Sequence, residues 1–256
     1  MSICFQLQLD QNLTIKDERT VFFLGNLAWL DIIRAFSVPD RLCFTQELRK
    51  KLLSLCDLRF EAVNGCPREL VLIIGEILEH AKAHSSSSLA TGNYNKHIRT
   101  LIQKLYIWDA SRCFYPDEDP LWHCIAEAFR HTCILRAWRL LDPTESATEP
   151  HIQESVTAIL DSLATVPGNS PLIELTVMPL FMAGADSLSP HSRHYVLLRL
   201  GEIKARSEMG ISAPQTLLKR VWQARAQQPR FDKRNIPWMD FTHNSDSMHQ
   251  DDYLII

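Results

Sequence analysis

His123, Glu127 and His131 stand four residues apart, and on a helix that spacing puts two imidazoles and a carboxylate on one face. Zinc accepts ligands of this kind, and Cys124 lies beside them. The pattern stops short of a site. No second cluster with metal spacing supplies a fourth ligand, and the arrangement His-Glu-x-x-His does not occur. The expectation is a polar stripe on an exposed helix face and no metal ligand. Glu79, His80 and His84 pose the same question more weakly and are expected to be surface residues. Seven cysteines, at 4, 43, 56, 66, 113, 124 and 133, include no C-x-x-C pair, and their number is odd. Without a secretory signal pattern, free thiols in a reducing compartment are expected, in a soluble intracellular chain.

Covalent and cofactor chemistry find no foothold either. There is no G-x-S-x-G elbow and no glycine-rich phosphate loop; the eight glycines are scattered singly. The chain is expected not to be an enzyme, with no catalytic residue and no cofactor. Trp138, Met178, Phe181, Met182 and Trp222 could line an apolar pocket between helices, though ordinary core packing explains them as well. The serines at 85 to 88 form an exposed stretch where phosphorylation would add charge.

The elements that would carry these residues read as helices throughout. From Glu18 the chain is apolar on nearly every side up to Pro39, as a helix central to a bundle would be. After Pro67, the residues Leu70, Ile73, Ile74, Ile77, Leu78 and Ala81 make one continuous buried stripe. Ser85 to Gly92 reads as an exposed loop. Ile98, Leu101, Ile102, Leu105 and Trp108 mark the next helix, and Asp119-Pro120 opens a long one reaching about Leu141. Ile152, Val156, Ile159, Leu160 and Leu163 give another, stopped at Pro167-Gly168. Then come an apolar run from Met178 to Gly184, a helix from Ser189-Pro190 to Gly210, and a helix from Pro214 to Trp222. Apart from the short alternating piece Phe5-Gln6-Leu7-Gln8-Leu9, nothing reads as a strand. An all-α, single large multi-helix domain is expected over 18–241, with an N-terminal arm at 1–17 and an acidic tail at 242–256. No run approaches the roughly 18 consecutive apolar residues of a membrane span, so no membrane contact is expected.

The order of these signals resembles one family. Pro179, Leu180, Phe181, Ala183, Gly184, then Arg193, Gly210, Val221 and Trp222 are similar to the C-terminal regulatory region of fungal binuclear zinc-cluster transcription factors. Ala28-Trp29-Leu30-Asp31, Gly65-Cys66-Pro67 and Ala126-Glu127-Ala128-Phe129-Arg130-His131-Thr132 resemble further landmarks of the same family, in its order. The resemblance implies transcription regulation in the nucleus, as a helical regulatory domain acting through protein partners, self-association or a small-molecule effector. It also implies that DNA is read by a zinc-cluster module of six paired cysteines with a basic arm, and that pattern is missing from these residues. The alternative is a stand-alone helical protein binding a partner or a small apolar ligand.

Charge adds one feature. Formal net charge is −3, yet Asp186 to Arg234 holds ten Lys and Arg against four Asp and Glu. Solvated helix faces are the plainer account of that +6 balance (10 − 4), contact with a partner or with the acidic tail the other.

Overall fold

The computed structural model describes residues 17–206, 212–229 and 231–242. Ten α-helices fill most of them: α1 Glu18–Ser37, α2 Gln46–Leu55, α3 Arg59–Asn64, α4 Arg68–Ser85, α5 Thr91–Ile107, α6 Leu121–Leu141, α7 Pro150–Ala164, α8 Val177–Asp186, α9 Pro190–Arg206 and α10 Ser212–Gln227. No strand occurs among the described residues. The all-α expectation holds. The proposed strand at Phe5–Leu9 lies outside the described residues, as do Gly210 and nearly all of the arm and tail.

α6 is the axis. It packs on α4, α5, α7 and α8, and thirteen of its twenty-one residues are buried. α8 is covered on every side by α6, α7, α9 and α10, and all ten of its residues are buried. Pro179 is tolerated there because it falls in the first turn, where its missing N–H leaves no bond unmade. α1 is long and apolar enough to cross a membrane by length and composition, but half of it is buried against α2, α3 and α4. Its Trp29 meets Phe129 of α6 edge to face, at 5.9 Å between ring centres. One continuous apolar cluster joins α1 to α10.

Three boundaries differ from the sequence expectation. The exposed loop after α4 covers only residues 86–90, because α5 already begins at Thr91 and takes Gly92 into its first turn. α10 starts at Ser212, so Pro214 lies in its first turn instead of opening it. Residues 42–66 contain two helices that no apolar stripe announced. α2 buries Arg49 beside Leu52 and Leu53, and a charged residue at a core position hides the periodicity. α3 is too short to show any, and ends at Gly65 in the left-handed conformation, φ 71°.

A buried carboxylate organises the start of the bundle. Asp31 of α1 accepts from the backbone N–H of Cys43 at 2.8 Å and of Phe44 at 2.9 Å, tying the loop before α2 to α1. Arg49 donates to the Phe44 carbonyl at 2.7 Å and to the Gln46 side chain. Its guanidinium then lies flat over Gly75 of α4, where any Cβ would fall within 2.6 to 2.9 Å of it.

Candidate functional site

The His123–Glu127–His131 stripe does not converge. Glu127 is held by Arg130, Nε at 2.8 Å and Nη2 at 2.5 Å. His131 is buried rather than exposed, correcting the expectation, and its Nε2 lies 3.0 Å from Arg130 Nη2. A guanidinium can only donate, so Nε2 is the acceptor and the proton sits on Nδ1. Burial and the Arg130 charge together push the imidazole pKa down to about 4. His123 is instead exposed, against the Tyr115 ring at 4.8 Å. The second trio separates likewise. Glu79 accepts from the Gln46 backbone, His80 stacks on His97 at 4.6 Å, and His84 stacks on Tyr94 at 4.4 Å. His80 and His84 are half-buried rather than surface residues.

Six cysteines fall among the described residues, and all are free thiols. Burial pushes Cys66 and Cys133 well up, and burial with the nearby Glu69 carboxylate raises Cys113 to about 12. None of these three is a thiolate near neutrality, so none is an activated nucleophile.

The five residues considered for an apolar pocket part company. Met178, Phe181 and Met182 are core, and Trp222 caps α8. Trp138 alone lines an open space, a cleft of ≈ 450 Å³ between α5 and α6. Lys96, Arg99, Thr100, Ile102 and Gln103 complete it. Ile102, itself nearly covered, adds apolar surface. The Arg99 guanidinium lies 5.5 Å from the centre of the Trp138 ring, within cation–π range. His151 of α7 packs on the same indole at 4.4 Å and is held by Glu145 at 2.9 Å. Among the described residues neither Lys96 nor Arg99 makes an ion pair, and no acidic side chain lines the cleft. The Trp138 Nε1–H is covered and finds no acceptor. Sequence reading missed Lys96, Arg99, Thr100 and Gln103 because, along α5 alone, they are an ordinary solvated face.

Against this geometry stand the comparisons with known proteins. The family model of the fungal specific transcription factor domain matches residues 4–253, nearly the whole chain. The chain belongs to that family. No curated protein and no solved structure gave a match.

In this fungal specific transcription factor domain, the residues behind the resemblance turn out to be joints between helices. Gly184 packs so tightly under α9 and α10 that a Cβ would meet Val196 at 2.9 Å and Leu218 at 3.1 Å. Its carbonyl accepts from the Trp222 indole at 2.9 Å. Arg193 lies over that indole at 5.4 Å and donates to the Ser187 carbonyl at 3.0 Å, closing the turn between α8 and α9. Asp186 ends α8 inside an ion network. Arg139 of α6 grips it with two bonds, and Arg225 of α10 approaches it at 3.4 Å. Arg225 also donates to the Ala185 carbonyl and to the Asn235 side chain. Asn235 in turn bonds the backbone at Pro143 and Thr144, both at 2.8 Å. α6, α8, α10 and the C-terminal strap, residues 231–242, thus share one buried polar centre, whose role is structural.

Proposed function

We propose that this domain regulates transcription in the nucleus, as a helical regulatory body that biases a DNA-reading module and does no chemistry of its own. The single observation that carries this is the family match over residues 4–253. Two further points support it. The two trios weighed as metal ligands are each spent on separate local contacts. The thiols whose burial matters most are held protonated. What the domain offers instead is a rigid surface for protein partners, for a second copy or for a small-molecule effector. DNA then enters only through a zinc-cluster module that these residues do not contain.

The test is a tethering experiment. The full 256-residue chain is fused to an unrelated DNA-binding module and read on a reporter in a fungal host. A reproducible rise or fall in output relative to the module alone is expected. A matched fusion carrying Asp186→Asn, which disrupts the joint of α6, α8 and α10, should lose the effect. Output equal to the module alone, with the fusion present at normal abundance in the nucleus, overturns the proposal.

A further inference from the structure

We propose that the cleft between α5 and α6 is a binding site for a small planar organic carboxylate, an aromatic acid being the fitting class. Three features of the cleft select that chemistry. First, Lys96 and Arg99 sit one turn apart at its rim, with no ion pair among the described residues and no acid in the lining. Arg130, Arg139 and Arg199 are matched with Glu127, Asp186 and Glu202, whereas Arg99, like Arg193 and Arg220, lies over a ring. Second, the Trp138 indole and Ile102 supply the apolar part of the lining, with the Arg99 guanidinium over the indole, so a planar apolar body fits beside them. Third, the Gln103 side-chain amide in the lining adds neutral donors for the oxygens of an acid. The one carboxylate nearby, Glu145, is committed to His151 behind the indole. An anionic head at Lys96, Arg99 and Gln103 and a ring beside Trp138 and Ile102 satisfy all three at once. Inorganic phosphate lacks the second feature, and a neutral ring lacks the charge that the first selects.

Binding is read on the isolated chain, so it stands or falls apart from the regulatory proposal. That proposal enters only in making the bound acid an effector. The experiment is a titration of the full chain with 2-naphthoate at physiological salt, following the six tryptophan indole N–H signals by NMR. One indole signal, the one missing from Trp138→Phe, should shift saturably. The neutral 2-naphthamide should bind weaker by about tenfold or more. The double variant Lys96→Gln/Arg99→Gln, at two exposed positions, should weaken naphthoate by about tenfold or more while leaving the amide and the melting temperature unchanged. If Trp138→Phe fails to fold, the double variant still decides the matter. The proposal is overturned by any of four results: no saturable shift, equal affinity for acid and amide, undiminished binding in the double variant, or inorganic phosphate binding as tightly as naphthoate.

Discussion

Arg139 and Asp186 face each other through two bonds, Nε to Oδ2 at 3.1 Å and Nη2 to Oδ1 at 2.7 Å, with both side chains 3% exposed. A pair this deep gains little over an apolar replacement, but removing one partner strands the other. Here the stranded charge would be double, since Arg225 lies 3.4 Å from the same carboxylate. Asp186→Asn keeps the shape and removes the charge. It should cost about 3–5 kcal/mol in chemical denaturation. A loss under about 1 kcal/mol would show that water already compensates the two guanidinium groups.

The second prediction contrasts two glycines. Gly75 faces the pinned Arg49 guanidinium, so Gly75→Ala must displace a buried charged group and should destabilise by about 1–3 kcal/mol. Gly201, on α9, has nothing within 4 Å of where a Cβ would stand. Gly201→Ala should therefore stabilise by about 0.5–1 kcal/mol through helix propensity alone. Melting temperatures that move the same way in both variants would contradict the packing described around Arg49.

Legibility followed chemistry type. Apolar periodicity gave α4: Leu70, Ile74, Ile77, Leu78 and Ala81 of its stripe are buried, and Ile73 is half-buried at its edge. While α6 was announced by its Asp119-Pro120 opening, the same signal placed α7. It failed wherever a core position is charged. Arg49 hid α2, and Arg136, Arg139 and Arg199 lie buried at positions that a binary pattern assigns to solvent. Arg139 finds Asp186, and Arg199 the Val166 carbonyl, far along the chain, where no local window contains both. The cleft was illegible for the opposite reason. Its Lys96 and Arg99 look like any solvated helix face until α6 brings Trp138 against them.

The third prediction concerns acid. His131 has its pKa pushed down to about 4, by burial first and by Arg130 second. The unfolded value is near 6.5. The folded chain thus binds fewer protons between these values, so stability is full above about pH 6.5 and declines as pH falls toward about 4. The contribution is on the order of 1–3 kcal/mol. His80, lowered by burial and by His97, pulls the same way, so the comparison must isolate His131. His131→Gln should lose less stability than the parent between pH 7 and pH 5. Equal losses in the two proteins would remove His131 as the source.

The last prediction is that this chain does not read duplex DNA. Sequence-specific binding needs side chains at base edges and several phosphate contacts to fix the register. The excess of cations between Asp186 and Arg234 looked like the available surface, and the fold has largely consumed it. Arg199 is buried against Glu202 and the Val166 carbonyl, and Arg225 is taken up by Asp186 and the Asn235 side chain. Arg193 lies on Trp222 and Arg220 on Phe241. Arg206 faces Glu174, and Arg234 is clamped by Asp232. Lys204, Lys219 and Lys233 are exposed and make no ion pair among the described residues, but they belong to two different helices and the strap beyond them; Arg230 lies outside the described residues. Four such cations, so scattered, allow at most weak association, with a slope of log affinity on log salt of about −4 or shallower. A competition titration of the full chain at near-physiological salt, promoter duplex against random duplex, should give equal affinities. A preference of about tenfold, worth about 1.4 kcal/mol, would mean that a helix of this domain enters a groove. In that case the regulatory body would itself be a DNA reader, and the cations would have to leave the partners described for them.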